Sequence, residues 1–308
     1  MKTKYLARAF SAVGILFFAT SSLALAETYP VPATENNIIG EPIFTSAQNG
    51  DTLISIAQRF DVGLNAISAA NPDVAVTARL PAGTHVDIPG SHLLPPLPHK
   101  GIVINLPEMR MYYYSSEGVV KTYPIGIGRV GKTIPLAHTA VVRKAENPVW
   151  IPPEDIRAFN LEQGIVLPRI MPSGPDNPLG PMAIYLQIPT YLIHSTIYPD
   201  SVGRRASFGC IRMHESDIKD FFPLVTPGTA VTIVDMPTKV GWQGKNLYLE
   251  TYIPLEEHST EYYAGYEGMV SAIQSTTGSS TTFVDWQAVS DLADARDGTP
   301  HNIGFQMN

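Results

Sequence analysis

The sequence predicts a mainly β, α+β protein: a small strand–helix–helix–strand module followed by a larger, strand-rich domain. Three observations predict it. The chain has 308 residues, 44% hydrophobic and only 16% charged, enough apolar material for packed cores and about two domains. Its 27 prolines, set against so little charge, favour loops and strands over long surface helices. Beyond residue 100, short apolar runs bounded by turn residues recur, whereas helix-period patterning is confined to a few short stretches. The apolar fraction excludes a disordered chain. The net charge of −7 and the lack of a Lys/Arg run argue against a nucleic-acid partner.

The first 26 residues read as an address. Lys2, Lys4 and Arg8 precede the apolar stretch Ala9 to Leu25, and Ala24-Leu25-Ala26 fits a small-x-small cleavage site. This is the pattern of a cleaved Sec-type signal peptide, with an apolar core too short for a retained span. It predicts export. Residues 27–42 form an extended, Pro-containing lead.

The small module covers 43–89. Ile43-Phe44-Thr45 is a strand. Asp51 or Thr52 caps a helix that places Leu53, Ile56, Ala57 and Phe60 on one face. A second short helix carries Leu64, Ile67 and Ala70 and stops at Asn71-Pro72. Leu80-Pro81-Ala82-Gly83-Thr84 turns into the strand His85 to Pro89. These landmarks, G-D-T-L, I-A, N-P and L-P-x-G-T-x-V-x-I-P, resemble a LysM module. The resemblance implies binding to N-acetylglucosamine-containing glycans such as peptidoglycan, with the sugar at the loops holding Gly50, Asp51 and Thr52, and Asn71 and Pro72. The plainer reading of the same residues is caps and turns.

Residues 90–98 read as a Pro-rich, semi-rigid linker. The second domain is expected over 99–236 as a mostly antiparallel β structure. Its predicted strands are 102–106 and 110–114 as a hairpin about Pro107-Glu108, then 119–127, 139–144, 182–188, 191–194 and 230–234. One helix is predicted over Ser216 to Leu224. Residues 237–308 form a C-terminal extension with a strand at 246–253, an amphipathic helix within 259–273, a Ser/Thr-rich linker at 275–282 and a short helix over 285–296.

Cys210 is the only cysteine, so it cannot form an internal disulfide. In an exported protein a lone thiol is either an inert core residue or a nucleophile. Its surroundings read Tyr191-Leu192-Ile193-His194-Ser195, then Ser207-Phe208-Gly209-Cys210-Ile211-Arg212. A thiol needs a base or a cation to become a useful nucleophile, and His194, at the end of an apolar strand, is the candidate base. Gly209 lets a carbonyl approach the backbone, where the Gly209 and Cys210 amides are candidate oxyanion donors. Arg212 is a candidate holder of a substrate carboxylate.

This segment resembles the catalytic motif of the YkuD-type L,D-transpeptidases: a His after an apolar strand, then S-x-G-C-[IV]-R. The likeness spans roughly 99–254 and includes the 102–114 hairpin, the I-G-I-G turn and Gly174 to Gly180. It is strongest to exported enterobacterial-type members, some of which attach a lipoprotein to the cell wall. Two positions depart from the family pattern: Ser195 stands in the common H-G-T, and Phe208 in the frequent S-H-G-C. The resemblance implies a periplasmic enzyme without cofactor or metal. Cys210 would form a thioester with a peptidoglycan tetrapeptide stem and release D-alanine. An amine from a second stem or from an envelope lipoprotein would then take the acyl group. His194 would be the base, the Ser195 carbonyl would orient it, and Ser207, Tyr191 and Arg212 would contact substrate. Inhibition by carbapenems is also implied.

Other readings are weighed against this one. Gly126 to Thr133 satisfies G-x-x-x-x-G-K-[ST], but Pro135 follows where a phosphate-binding loop requires a helix, so a glycine-rich turn is expected and nucleotide is not. Cys210, His194 and His214 make a thin zinc set. A papain-like amidase would place its Cys before its His, the reverse of the order here. Carboxypeptidase activity, with water as acceptor, and a non-catalytic peptidoglycan-binding role remain alternatives.

Overall fold

The structure is a computed structural model and describes residues 27–32 and 36–307. The expected signal peptide lies outside these residues. No helix among the described residues is long and apolar enough to cross a membrane.

The chain opens with β1 (Glu27–Pro30), β2 (Ile38–Gly40), β3 (Ile43–Ser46), α1 (Leu53–Phe60), α2 (Leu64–Ala70), β4 (His85–Ile88) and β5 (Ser91–Leu93). In the small module β3 pairs antiparallel with β4, and the two helices pack Leu53, Ile56, Ala57 and Ile67 against Val86 and Ile88. Thr52 caps α1 in a reciprocal box with Ser55, satisfying two of the orphan N–H groups at the helix start.

Residues 90–98 are only partly a spacer. Ser91–Leu93 is a buried strand paired with β2, and the Pro-rich character begins after Leu94. Burial of Leu93 and Leu94 outweighs the spacer-like composition. The lead is likewise structural, because β1 pairs with β8 at the edge of the main sheet.

The second unit runs β6 (Gly101–Asn105), β7 (Arg110–Tyr114), β8 (Val119–Pro124), β9 (Ile127–Gly128), β10 (Ala137–Glu146), α3 (Glu154–Glu162), β11 (Met182–Leu186), β12 (Leu192–Ser195), β13 (Arg205–Ser207), β14 (Ile211–Met213), α4 (Glu215–Phe221) and β15 (Ala230–Val234). Its nine-stranded sheet has the order β1-β8-β7-β6-β15-β10-β11-β12-β14. Most neighbours are antiparallel, but β6 with β15 and β12 with β14 are parallel, as is the separate pair β9 with β13. The core gathers Ile102, Ile104, Met111, Ile184, Ile193, Ile211, Phe221 and Ile233.

The extension folds on its own core. It comprises β16 (Thr238–Gln243), β17 (Asn246–Thr251), α5 (Tyr266–Thr277), β18 (Thr282–Val284), α6 (Trp286–Ala295) and β19 (His301–Gln306), in a sheet of order β16-β17-β19-β18. Both expected helices are present, the first displaced to 266–277, so part of the expected Ser/Thr-rich linker is helical. The extension is bolted to the rest by buried charge. The ammonium of Lys239, 0% exposed, donates to the Leu93 carbonyl at 2.6 Å, Glu108 at 2.9 Å and Tyr112 at 3.1 Å, and lies 3.1 Å from Glu250. Glu250 in turn accepts the Leu93 N–H at 2.6 Å. Strand β5, the β6–β7 hairpin and the extension therefore share one network.

Candidate active site

The site is built where β12 and β14 run side by side. Their parallel register sets Ile193 opposite Ile211 and His194 opposite Arg212, so Cys210, immediately before β14, comes level with Leu192, and both it and His194 line one cavity. His194 is 4% exposed. Its Nδ1–H donates to the Ser195 carbonyl at 2.5 Å, which fixes the tautomer and leaves the lone pair on Nε2. The Ser195 hydroxyl donates to the Leu179 carbonyl at 2.9 Å and accepts the Met182 N–H at 3.3 Å, tying the segment before β11 to β12. Cys210 donates its thiol hydrogen to the Thr190 carbonyl at 3.6 Å.

The electrostatics keep this pair neutral at rest. Burial, with the Arg212 charge as second cause, pushes His194 down to about 4. Burial also pushes the Cys210 thiol up, partly opposed by the Leu192 amide and by Arg212. Both shifts follow from removing charged forms from water. Both directions favour a neutral thiol and a neutral imidazole on one cavity over a thiolate–imidazolium pair.

Cys210 lies between two cavities. One, of about 240 Å³, is lined by His194, Arg212, Tyr198, Asp176, Asn160 and Phe208 among others. The other, of about 510 Å³, is lined by Lys132, Arg143, Asp155, Tyr185, Thr190 and Tyr191 among others. Arg212 is half-buried, and among the described residues no carboxylate pairs with it. Its Nε is buried without a hydrogen-bond partner, and its nearest aromatic face is Tyr198 at 5.8 Å. An uncompensated guanidinium lining a cavity is a receptor for an anion.

Ser207, Gly209 and Tyr191 shape the loop. The Ser207 hydroxyl donates to the Cys210 carbonyl at 2.6 Å and accepts the Gly209 N–H at 3.0 Å. That bond corrects the expectation that the Gly209 amide is free for an oxyanion, while Ser207, its side chain bonded within the loop, still lines the smaller cavity. Gly209 has φ +114, and a Cβ there would lie 2.6 Å from the Tyr191 ring, so only glycine fits. Tyr191 therefore packs on the loop and also lines the larger cavity.

The sequence reading missed helix α3, which supplies Ile156, Phe159 and Asn160 to the cavity wall. A signal was present: Pro152-Pro153 precedes Glu154-Asp155, the proline-then-acid pattern of a helix start. It also missed the role of Phe208. The Arg129 guanidinium lies 3.8 Å from the Phe208 ring and 4.0 Å from that of Phe159. The glycine-rich motif at 126–133 forms a turn with no helix after it. His214 lies apart from Cys210 and His194, at the start of α4 in a small cavity with Asp200.

In the small module the singled-out side chains are internally engaged. Asp51 pairs with Arg59 at 2.8 Å, Thr52 caps α1, and Asn71 bridges the Ile67 and Asp87 carbonyls at 2.8 Å each. Gly50 donates its N–H to Leu80. Pro72 is exposed and lines a groove shared with the extension.

Comparison with known proteins shows the family. Residues 99–233 match the L,D-transpeptidase catalytic domain and residues 47–89 the LysM domain. The Escherichia coli (strain K12) protein named probable L,D-transpeptidase YcfS is 39% identical over 299 residues, 93% of this chain and 92% of its own length. Probable L,D-transpeptidase YbiS of the same organism is 37% identical over 314 residues, covering 97% of this chain and 98% of its own. Among solved structures, the catalytic domain from the E. faecium L,D-transpeptidase aligns with a TM-score of 0.35 and 21% identity, covering 46% of this chain and 100% of that one. With two relatives similar along nearly their whole length, the chain belongs to the L,D-transpeptidase family.

Proposed function

We propose that the protein is a periplasmic enzyme that remodels peptidoglycan by acyl transfer through a Cys210 thioester. The observation that carries the reading is His194, oriented by the Ser195 carbonyl, on the same cavity as Cys210 and an unpaired Arg212. The Cys210 thiol turns from the Thr190 carbonyl and gives its proton to His194 Nε2 as sulfur attacks the carbonyl of the third residue of a tetrapeptide stem. The C–N bond to the terminal D-alanine breaks, and the leaving amine takes the proton from His194. An acceptor amine then attacks the thioester, His194 takes its proton, and the thiolate leaves and is reprotonated.

The Cys210 amide is the oxyanion donor in this scheme, since the Gly209 amide is engaged by Ser207. Arg212 binds a carboxylate of the stem. Two cavities meeting at one sulfur suit a donor on one side and an acceptor on the other. The acceptor is a second stem, giving 3–3 cross-links, or the lysine of an envelope lipoprotein. Water as acceptor would make the enzyme a carboxypeptidase. The LysM module holds the enzyme on glycan, with the backbone at Gly50 and the exposed Pro72 as contacts.

The test is mass spectrometry of the enzyme with disaccharide-tetrapeptide, with and without an added amine. Loss of D-alanine with an amine-adducted or cross-linked product, abolished in Cys210→Ala, is the expected result. Unchanged product in Cys210→Ala would refute the mechanism, and tripeptide alone would identify a carboxypeptidase.

A further inference from the structure

We infer that Glu257, from the C-terminal extension, is a positioning residue for the Cys210 loop and acts through the glycine-rich turn at 126–133. The inference rests on the reading of Cys210 as nucleophile given above.

The turn and the cysteine loop are one mechanical unit. β9 pairs with β13, and the Arg129 N–H donates to the Ser207 carbonyl at 3.0 Å. The Lys132 carbonyl is wedged between two glycines. A Cβ on Gly128 would lie 2.0 Å from that oxygen, and one on Gly209 would lie 3.0 Å from it. The same turn sends Arg129 against the rings of both Phe208 and Phe159 and Lys132 to Asp155 at 2.7 Å. Displacing it therefore moves Gly209 and Phe208, the two residues before the nucleophile, together with helix α3.

One carboxylate fastens this turn. Glu257 accepts the Gly131 N–H at 3.1 Å and the Thr133 hydroxyl at 2.6 Å. It also accepts both terminal nitrogens of Arg205, at 2.8 and 2.5 Å. Arg205 extends the clamp to the Gly128 carbonyl at 3.1 Å and to Thr133 at 2.9 Å. A lone surface ion pair contributes little, but here a bidentate Arg and two further donors converge on a side chain only 24% exposed, which adds geometric definition. The Arg205 bonds hold the Glu257 carboxyl far below the usual carboxylate range, so the clamp stays charged across the working pH. Glu257 is itself anchored: Leu255, 2% exposed, belongs to the core of the main sheet, and His258 bonds Asp235.

The experiment compares the wild-type chain lacking residues 1–26 with Glu257→Ala, Glu257→Gln and, as a control, the exposed neighbour Glu256→Gln. For each, kcat and KM of transfer, the pH profile of Cys210 alkylation by iodoacetamide, and Tm are measured. Glu257→Ala is expected to lower kcat by about tenfold with little change in KM, short of the roughly hundredfold that a full ångström of misplacement can cost. Its Cys210 is expected to alkylate faster at neutral pH, with the midpoint of the profile moved down, because a loosened loop admits more water to the half-buried thiol. Glu257→Gln, which keeps an acceptor for Gly131 and Thr133, is expected to fall between, and Glu256→Gln to match wild type. Opposite movement of transfer and alkylation is the signature of lost positioning. Unchanged kcat and profile, or losses of both that merely track unfolded protein, would overturn the inference. If the wild type transfers nothing, the reading of function has failed, and the alkylation profiles still decide whether Glu257 controls the loop.

Discussion

A pH titration tests the neutral thiol–imidazole pair directly. The perturbation is pH, and the observable is kcat/KM for D-alanine release between pH 4 and 9. An ordinary histidine, titrating near 6.5, would be about three-quarters protonated at pH 6 and useless as a base. His194, pushed down to about 4 by burial and then by Arg212, would be only about 1% protonated at that pH. The depression corresponds to about 3 kcal/mol of preference for the neutral ring, from roughly 1.4 kcal/mol per pH unit. The sign follows from the direction: protonation of a buried base is disfavoured, so activity persists as pH falls below 6 and is lost near 4. The thiol gives a second arm. Because burial raises Cys210, iodoacetamide alkylation is expected to be slower at pH 7 than for a free cysteine and to keep rising above pH 9. Transfer, which passes the proton to His194 during attack, does not share that rise. An acid limb near 6.5, or transfer and alkylation rising together, would refute the argument by showing a solvated or ion-paired site.

Three further outcomes are expected. Arg212→Gln removes the cation that faces the smaller cavity. A charge-assisted bond of about 1.5–3 kcal/mol gives a KM for stem substrate raised roughly 10- to 100-fold, read by steady-state kinetics, and a KM within twofold of wild type would remove Arg212 from substrate binding. Lys239→Met leaves Glu108 and Glu250 buried without their shared cation. Breaking such a network costs about 3–5 kcal/mol, measurable by urea unfolding. Because burial already raises Glu250, the loss should deepen from pH 5 to pH 8 as its carboxyl, without Lys239, is forced to ionise, and a pH-independent loss would argue against this cause. Ser207→Ala removes the hydroxyl that closes the loop onto Gly209 and Cys210. It is expected to lower kcat while leaving glycan binding intact in sacculus pull-down, and an unchanged kcat would show that the loop holds its shape without it.

The structure also changes how the glycan module is tested. Removing residues 27–97 would strip β1 from the main sheet and β5 from the Lys239 network, so lost activity in that truncation would not isolate the module. Substitutions within 43–89 are the cleaner probe. The module is seated on the catalytic unit through Asn65 N–H to Gly203, at 3.1 Å, and Gln58 to Asp200, at 2.8 Å, close to the segment leading to Cys210.

The sequence by itself determined most of the elements and the candidate residues. Apolar alternation located most strands of the main sheet, because each buries one or both faces and local pattern reports burial. The cap at Thr52 and the stop at Asn71-Pro72 are local rules as well. A single thiol with an upstream histidine and a following arginine marked a candidate nucleophile, base and anion holder before any contact was known, and the resemblance to the L,D-transpeptidases supplied the candidate reaction. Tertiary structure alone decided the rest, because it depends on residues far apart in the chain. The parallel pairing of β12 with β14 brought His194 and Cys210 onto one cavity. Burial set both of their protonation states. Ser207 claimed the Gly209 amide. Residues 91–94, linker-like in composition, became core because Glu250 and Lys239, some 150 positions later, supply the partners that their backbone needs. Glu257, unremarkable in sequence, became a clamp on the nucleophile's loop only once the extension folded back onto the sheet.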